Sequence, residues 1–379
     1  MSTEEKKKMI NVAVVGCGEL SQVAQLPALS ALCDRFRVTY LCDVSLKVLE
    51  YCKARTASDP KVTTSAAEAC SSEEVDAVVI ASNSALHPEQ TILALQNNKH
   101  VFVEKPVTYN QRDMDAILEA EQKSRATVFV GYMRRYAPAF TSAMAEIGDT
   151  SKILHARVRS IIGQNSSYVA QSGMFPKRFD DIPESARMEV ASKDNDMKEQ
   201  ALREFGVPAT DETKKMLFWL GALGTHDLSA MREALGFPLA VRGACLRQPI
   251  WSAVFEYPGL SVIYESGMIS VPFFDAQIEL YTDDKIVQVQ FDQPYIKGLP
   301  TTMTVQEKSE GINGQVGYRK TFTRQTYEDN YTLELQEWHN CIVSGKRPKT
   351  TVQDAREDLE IFKMLMQAGF GEISKELNE

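Results

Sequence analysis

Hydrophobic and polar positions follow different patterns in the two parts of this chain. Up to Tyr132, short apolar runs rich in β-branched residues alternate with segments whose apolar residues recur at helical spacing. The apolar runs predict buried strands at residues 10–15, 38–42, 75–81, 101–103 and 127–132. The intervening segments predict helices at residues 19–32, 46–54, 88–97 and 111–123. This alternation of strand and helix predicts an α/β domain with a doubly wound parallel sheet.

The pattern changes after Pro138. Residues 163–214 are polar and irregular, and a connection of that length is usually functional or mobile. Strands are predicted at residues 153–162, 241–247, 253–257, 261–264, 277–281, 285–290 and 317–323, with helices at 198–205, 212–220, 331–344 and 352–370. Short turns between neighbouring strands favour antiparallel pairing. We therefore expect two domains, residues 1–137 and an α+β domain over 138–379 with one large open, mainly antiparallel sheet.

Composition narrows the class of protein without identifying it. Of the 379 residues 44% are hydrophobic and the net charge is −9, so we expect an ordinary core and no nucleic-acid partner. Five histidines and the lack of a Cys-x-x-Cys pair leave little room for a metal site. Seven scattered cysteines, a charged tail at residues 1–8 and no long apolar run predict reduced thiols, no secretory signal, no membrane span and a cytoplasmic location.

A glycine-rich turn, Gly16-Cys-Gly18-x-x-Ser21, joins the first predicted strand to the first helix. Its spacing matches the dinucleotide fingerprint. There the first glycine permits a tight turn, the second lets the backbone approach a pyrophosphate, and the third position is small. The pyrophosphate would lie against the helix start at Glu19 and Leu20, where free N–H groups favour anions.

Asp43 stands at the end of the second predicted strand. A carboxylate at this point can accept hydrogen bonds from the ribose hydroxyls of adenosine and would repel a 2′-phosphate. The sequence therefore favours NAD over NADP as the cofactor. The alternative is that Asp43 caps the helix that follows.

Polar residues also follow the third predicted strand. Ser82 and Asn83 come directly after it, and His87 lies a few residues further on. Side chains at that edge of a sheet can reach the nicotinamide and its ribose. For His87 the alternative is a cap on the next helix.

The fourth predicted strand runs directly into Glu104, Lys105 and Pro106. Charged side chains at the carboxyl end of an apolar strand lie where open α/β sheets bind ligands. Pro106 stiffens the chain behind them and favours an extended backbone at Lys105. A solvated surface pair is the alternative for Glu104 and Lys105.

Two further segments carry polar groups whose roles stay open at this stage. Arg134 and Arg135 follow the last predicted strand of the first domain, and they would contact either the cofactor or a polar substrate. A solvated interdomain pair explains them equally well. The polar stretch 163–214 can bring a side chain over the site, but its sequence singles out no residue.

The motifs of the first domain together resemble those of the Gfo/Idh/MocA family, the glucose–fructose oxidoreductases and inositol dehydrogenases. They occur in the order Gly16-Cys-Gly18, Leu26-Pro-Ala-Leu29, Asp43, the turn from Asn83 to His87, Asn97-Asn-Lys-His-Val101, Glu104-Lys-Pro106 and Gly131-Tyr-Met-Arg-Arg135. The resemblance is close over the first domain and holds in outline beyond it. It implies an N-terminal Rossmann domain and a C-terminal open sheet that binds substrate and forms a homodimer.

The resemblance also implies catalytic roles. In that family the lysine of Glu-Lys-Pro, here Lys105, helps to hold substrate and relays protons, and a histidine of the second domain acts as acid and base. The segment from Gly221 to Asp227 is similar to the stretch that carries this histidine, which would be His226. The family usually has an aspartate where this chain has Ala222. Either Asp227 or another carboxylate orients the imidazole, or oxidation is weaker, or the chain does not catalyse.

The function that the resemblance implies is an NAD-dependent oxidoreductase. It would transfer hydride between nicotinamide and a secondary alcohol or ketone carbon of a sugar, polyol or glycoside. One alternative is an enzyme that retains NAD and cleaves a glycoside without net redox change. The other is a dinucleotide-binding transcriptional regulator without turnover. The alanine at position 222 leaves the regulator as an alternative function, whereas the presence of Lys105 and His226 argues against it.

Overall fold

The computed structural model describes residues 8–299 and 301–371, so most of the charged tail lies outside the described residues. The described residues divide into two compact units, the first formed by residues 8–131, 172–201 and 331–357 and the second by residues 132–171, 202–299, 301–330 and 358–371. Two segments that follow residue 137 in the sequence thus belong to the first unit. The domain limits expected from the sequence remain a proposal.

The first unit is built on a parallel sheet, which confirms the predicted doubly wound fold. Its strands are β1 (Ile10–Val15), β2 (Phe36–Cys42), β3 (Lys61–Thr63), β4 (Ala77–Ile80), β5 (His100–Glu104) and β6 (Val128–Gly131). They lie in the order β3-β2-β1-β4-β5-β6 with every pair parallel. All residues of β4 and β6 are buried, as their uninterrupted apolar sequences require. The chain order reverses between β1 and β4, and ligands of such sheets bind beside that point.

The described residues form twelve α-helices. They are α1 (Leu26–Ala31), α2 (Leu46–Lys53), α3 (Ala66–Ser71), α4 (His87–Gln96), α5 (Gln111–Lys123), α6 (Pro138–Ile147), α7 (Asn165–Val169), α8 (Glu184–Phe205), α9 (Asp211–Trp219), α10 (Thr225–Leu235), α11 (Asn330–Ser344) and α12 (Val352–Phe370). Along 8–299 and 301–371, no helix combines the length and the apolar character needed to cross a lipid bilayer.

Two of these helices continue from π-helical turns. Ser21–Gln25 precedes α1, and Leu220–Gly224 precedes α10. The first break agrees with the sequence, because Pro27 lacks the amide hydrogen that a continuous helix would use. A π-helical turn is rare and often lies at a functional site.

The second unit contains an open sheet of eight strands. They are β7 (His155–Gly163), β8 (Ala240–Cys245), β9 (Ile250–Tyr257), β10 (Leu260–Ile269), β11 (Phe274–Tyr281), β12 (Lys285–Phe291), β13 (Thr302–Glu310) and β14 (Val316–Arg324). The order is β14-β13-β12-β11-β7-β10-β9-β8. Neighbours are antiparallel except β7 and β10, which run parallel. The predicted mainly antiparallel sheet is therefore confirmed.

Several elements differ from the sequence prediction. β3, α3, α6 and β13 were not predicted, and α8 begins at Glu184 rather than near residue 198. β13 carries Met303 and Val305 among mostly polar residues, so it lacks the apolar run that reveals a strand. The added turns of α8 are equally polar, and a helix of that composition has little periodic signal.

An aromatic cluster attaches the segment 331–357 to the sheet of the first unit. Trp338 of α11 stacks on Phe36 of β2, with ring centroids 5.4 Å apart. It also meets Phe102 of β5 edge-on at 5.6 Å. Between this segment and β6, the Val130 N–H donates to the Thr350 carbonyl at 2.9 Å. These contacts stabilise the strands whose carboxyl ends carry the predicted site residues.

Candidate active site

The glycine turn after β1 packs against the turn after β4. Gly16 has a φ of 91°, which favours glycine. A Cβ atom at this position would lie 2.6 Å from the Ala81 carbonyl oxygen and would also collide with the backbone nitrogen of Ser82. The first fingerprint glycine is therefore required by the protein's own packing.

Gly18 has different surroundings. It is exposed, and a Cβ atom there would meet no protein atom within 4 Å. Glu19 and Leu20, which begin the following helix, are half-buried. Ser21 is fully buried and its hydroxyl donates to the Gly16 carbonyl at 2.5 Å, which explains how a serine replaces the usual small apolar residue. The open space at Gly18, beside a helix start, fits the close backbone approach of a pyrophosphate.

Asp43 connects the ends of β1 and β2. The Cys17 N–H donates to its Oδ2 at 2.8 Å, and the Ser45 N–H donates to its Oδ1 at 2.9 Å. Ser45 is the cap of α2, since its hydroxyl accepts from the Val48 N–H, so the interpretation of Asp43 as that cap is wrong. The half-exposed carboxylate retains lone pairs that can accept from ribose hydroxyls. Its cofactor contact remains a prediction.

The turn after β4 has one exposed and one buried polar residue. Asn83 is exposed, and its side-chain oxygen accepts from the Ala85 N–H at 3.0 Å. The half-buried Ser82 donates to Gln90 at 2.6 Å. His87 is 2% exposed, and its ring nitrogens contact the carbonyl oxygens of Pro106 at 2.9 Å and Ser82 at 3.1 Å.

His87 therefore connects the turns after β4 and β5. No side chain caps α4, so the interpretation of His87 as a helix cap is wrong. Burial lowers the pKa of His87 to about 4, and the ring is neutral at pH 7. A neutral imidazole donates only one of its two hydrogen bonds to these carbonyls. Its observed contacts favour a positioning role, while a contact of His87 with the cofactor stays a prediction.

The Glu-Lys-Pro motif places two charged groups in unlike surroundings. Glu104 is 4% exposed and accepts from the Gln25 side-chain amide at 2.6 Å, so the solvated surface pair is wrong for this residue. Burial raises the pKa of Glu104 to about 7, against the lowering effect of Lys105. Lys105 is half-buried, and its peptide bond to Pro106 is cis.

Gln25 is a site residue that sequence reasoning missed. It lies in the π-helical turn Ser21–Gln25, is fully buried, and provides the hydrogen bond to Glu104. A glutamine within a predicted amphipathic helix gives no sign that it faces a buried carboxyl on another strand.

In the second unit, Arg134 and Asp227 form a buried ion pair through Nη1 and Oδ1. The Arg134 guanidinium also donates to Ser160 at 3.4 Å and lies 5.0 Å from the ring centroid of Phe291. Arg134 and Arg135 are each 3% exposed, and Arg135 pairs with Glu233, so the interpretation as a solvated pair is wrong. The predicted contact of Arg134 with cofactor stays a prediction.

His226 is half-buried near the start of α10, directly after the π-helical turn Leu220–Gly224. Ala222 lies within that turn and is also half-buried. Asp227 is directed at Arg134, and whether its carboxylate orients His226 stays a prediction. Gly224 is packed closely, because a Cβ there would lie 2.9 Å from the Tyr264 hydroxyl.

Comparison with known proteins agrees with this geometry. Residues 10–132 match the Gfo/Idh/MocA family, described as an oxidoreductase family with an NAD-binding Rossmann fold. The match is confined to the first domain of the chain. The expected resemblance to this family and the predicted Rossmann fold of the first domain are thereby confirmed.

Relatives of this chain include the inositol 2-dehydrogenase of Acidiphilium cryptum. It is 30% identical over 139 residues, which are 36% of this chain and 41% of that protein. The chain spans less than half the length of the curated relatives it matches first.

Solved structures share the fold over nearly the whole chain. KijD10, a 3-ketoreductase from Actinomadura kijaniata in complex with NADP and TDP-benzene, has a TM-score of 0.69 at 16% identity and covers 95% of this chain and 98% of its own. The myo-inositol 2-dehydrogenase of Lactobacillus plantarum has a TM-score of 0.67 at 18% identity, with coverage of 96% and 97%. At these identities the likeness shows the architecture.

Proposed function

We propose that this protein is an NAD-dependent oxidoreductase acting on a secondary alcohol or ketone carbon of a sugar, polyol or glycoside. The observation that carries the proposal is the arrangement at the carboxyl ends of β1 and β2. The space beside Gly16 is filled by the protein's own backbone, and the space beside Gly18 is empty of protein atoms. Asp43 lies next to this turn and can still accept hydrogen bonds. This arrangement suits the pyrophosphate and ribose of a dinucleotide.

The proposed preference for NAD rests on charge. Asp43 is an acceptor for ribose hydroxyls and would repel a 2′-phosphate, and Asp180 and Asp181 add negative charge near the start of α2. When bound, NAD would supply the hydride acceptor of the oxidation. Gly18, Glu19 and Leu20 would hold its pyrophosphate end, and Ser82 and Asn83 would face its nicotinamide end.

In the proposed reaction, His226 accepts the proton of the substrate hydroxyl and Lys105 stabilises the negative charge on its oxygen. His226 as neutral imidazole takes the hydroxyl proton when hydride leaves the same carbon. The Lys105 ammonium stabilises the oxygen as negative charge develops on it. Glu104, whose pKa is raised to about 7 by burial, changes the charge next to Lys105 in the physiological pH range.

The substrate class is proposed from the relatives. The curated proteins that resemble this chain include several inositol 2-dehydrogenases, and a solved structure of the same fold is a 3-ketoreductase. Polyols and sugars share the secondary carbinol that the proposed chemistry requires. A homodimer formed through the sheet of the second unit is part of the same proposal.

Ala222 favours one second candidate. Family members usually have an aspartate at this position, and its absence favours a dinucleotide-binding transcriptional regulator without turnover as the second candidate. A redox-neutral reaction with retained NAD is the other variant of the enzymatic proposal. Turnover assays separate all three.

The test is a panel of inositols, sugars and glycosides incubated with NAD and monitored for NADH. We expect NADH to form with at least one cyclic polyol or sugar. Product formation with catalytic NAD and no net NADH would indicate the redox-neutral variant. NADH binding without any product across the panel would contradict the proposed enzyme and favour the regulator.

A further inference from the structure

The polar stretch between α7 and α8 belongs to the first unit from residue 172 onward. We call residues 174–181 the strap. The Tyr51 hydroxyl donates to the Phe175 carbonyl at 2.6 Å, and the Arg55 guanidinium donates to the Met174 carbonyl at 3.0 Å. Both donors belong to α2 or the residues that follow it, so the beginning of the strap is attached to that helix.

The middle of the strap is attached to the fingerprint turn. The Gln22 side-chain amide donates to the Lys177 carbonyl at 3.0 Å, and the Lys177 N–H donates back to the Gln22 Oε1 at 2.8 Å. The same amide donates to the Cys17 carbonyl at 3.0 Å. Arg178 then pairs with Glu19 at 2.8 Å. These contacts place the strap beside the predicted pyrophosphate site.

The end of the strap contacts the amino terminus of α2. The Ser45 hydroxyl donates to Asp181 Oδ1 at 2.5 Å, and the Lys47 N–H donates to Asp181 Oδ2 at 2.9 Å. The Lys47 ammonium pairs with Asp180 at 3.1 Å. The Ser45 hydroxyl and the Lys47 N–H hold the pKa of Asp181 below its usual range, so its carboxylate is charged at neutral pH.

This helix terminus is the place where a 2′-phosphate would need donors. Free N–H groups and the dipole at the start of a helix favour anions. In Rossmann domains the acidic residue at the end of the second strand binds the 2′-hydroxyl, and cationic groups near it accommodate a 2′-phosphate. Here Ser45 donates its N–H to Asp43 and its hydroxyl to Asp181, so one residue links the two carboxylates.

We propose that Asp181, held by the strap, is a second specificity-determining residue that excludes the 2′-phosphate of NADP. It occupies the donors of α2 that a phosphate would use, and Asp180 occupies the Lys47 ammonium. Like charges placed opposite each other also discriminate against the phosphorylated ligand. The inference rests on the proposed use of a dinucleotide and adds a determinant distant in sequence from the Rossmann fingerprint.

The test compares NADH and NADPH dissociation constants, measured by fluorescence titration of the full chain. Asp181→Asn keeps the size of the side chain and removes its charge, and Asp181→Ala frees the α2 donors outright. We expect the ratio of the NADPH to the NADH dissociation constant to fall about tenfold in both variants. The double variant D180N/D181N, which also frees the Lys47 ammonium, should lower the ratio further.

Glu189→Gln is the matched control. It removes one negative charge from α8, the helix that follows the strap, at an exposed carboxylate that pairs with Lys193. The control should leave the ratio unchanged. A wild-type ratio below one, or a ratio within twofold of wild type in both Asp181 variants, would overturn the inference while leaving NADH binding intact. If the wild-type chain bound neither nucleotide, the proposed function would fail and the inference with it.

Discussion

Gly16 and Gly18 stand in one turn, yet a side chain would meet different surroundings at each. At Gly16 the neighbouring backbone leaves no room and φ is 91°, so the requirement for glycine belongs to the folded protein itself. At Gly18 a Cβ atom would project into open space. The need for glycine there would come from the ligand, and substitutions at the two positions should separate folding from binding.

We therefore expect Gly16→Ala to lower the free energy of unfolding by about 2 kcal/mol or more, through a strained φ and a backbone collision. Gly18→Ala should change it by less than about 0.5 kcal/mol. It should weaken NADH binding about tenfold, because a methyl group would occupy the space of the pyrophosphate. Urea denaturation measures the free energy of unfolding, and NADH titration measures the affinity for the nucleotide. Unchanged NADH affinity in Gly18→Ala would remove this glycine from the site.

Glu104 gives the stability of the protein a specific pH dependence. Burial raises the pKa of its carboxyl from 4.5 to about 7. Between these two pH values the folded protein therefore keeps the carboxyl protonated, whereas the unfolded chain has released the proton. The contribution of this group to stability is full below about pH 4.5 and is lost as pH rises through 7. Gln25 donates to the carboxyl in either protonation state.

Glu104→Gln isolates this effect, because the amide keeps the acceptor for Gln25 and does not titrate. The stability of wild type relative to the variant should fall between about pH 4.5 and 7, by about 3 kcal/mol, and should stay level above pH 7. Denaturation of the nucleotide-free proteins across this range measures the difference. A difference that does not fall across this range would show that the carboxyl is ionised in the folded protein as well.

At the scale of elements, the strand–helix alternation of residues 10–132 was sufficient to predict the parallel sheet. Strands such as β4 and β6 are buried along their whole length, so their sequences consist of apolar or small residues that predict burial directly. The signal failed where an element is stabilised by distant contacts. β13 is mostly polar and pairs on both sides within its sheet, and α8 is too polar for a periodic pattern.

The sequence likewise predicted some residues of the candidate site and missed others. Its turns follow strands and have characteristic residues, so Gly16, Asp43 and Glu104 were found from sequence. Gln25 and Asp181 were missed, because each acts through a partner far away in the chain, Glu104 and Ser45 respectively. A single sequence does not show such pairings.

The buried pair of Arg134 and Asp227 attaches the start of α10 to the segment after β6. We expect Arg134→Met or Asp227→Asn alone to cost about 3–5 kcal/mol of unfolding free energy, because each leaves a buried charge without its partner. The double variant R134M/D227N should cost much less than the sum of the two single variants. Breaking the exposed pair of Arg319 and Glu307 should cost about 1 kcal/mol at most and serves as the control. Losses of unfolding free energy that add in the double variant would show that Arg134 and Asp227 do not stabilise each other.

At the scale of the whole molecule, the seven cysteines divide by exposure. Cys33 and Cys245 are exposed, and the others are buried. Burial raises the pKa of the Cys42 thiol to about 12 and that of Cys70 to about 11, which further slows their reaction. We expect a thiol reagent to modify two cysteines rapidly in the native protein and seven after denaturation. Rapid modification of Cys42 or Cys70 would show that the first unit opens readily.

The proposed chemistry also depends on residues from both compact units. Lys105 follows β5 in the first unit, and His226 lies in α10 of the second. If both act on one substrate, their contributions to turnover should depend on each other. Residues that act as a unit in catalysis are not additive, and a double-mutant cycle detects this.

The most direct test is therefore kcat/KM for wild type, Lys105→Ala, His226→Ala and the double variant, with the substrate that the NADH assay selects. We predict that each single substitution lowers kcat/KM by a factor of about 100 or more, and that the double variant loses little beyond the worse single. NADH affinity of His226→Ala should remain within about threefold of wild type. Turnover within about threefold of wild type in both single variants would contradict the assignment of Lys105 and His226 as the catalytic pair.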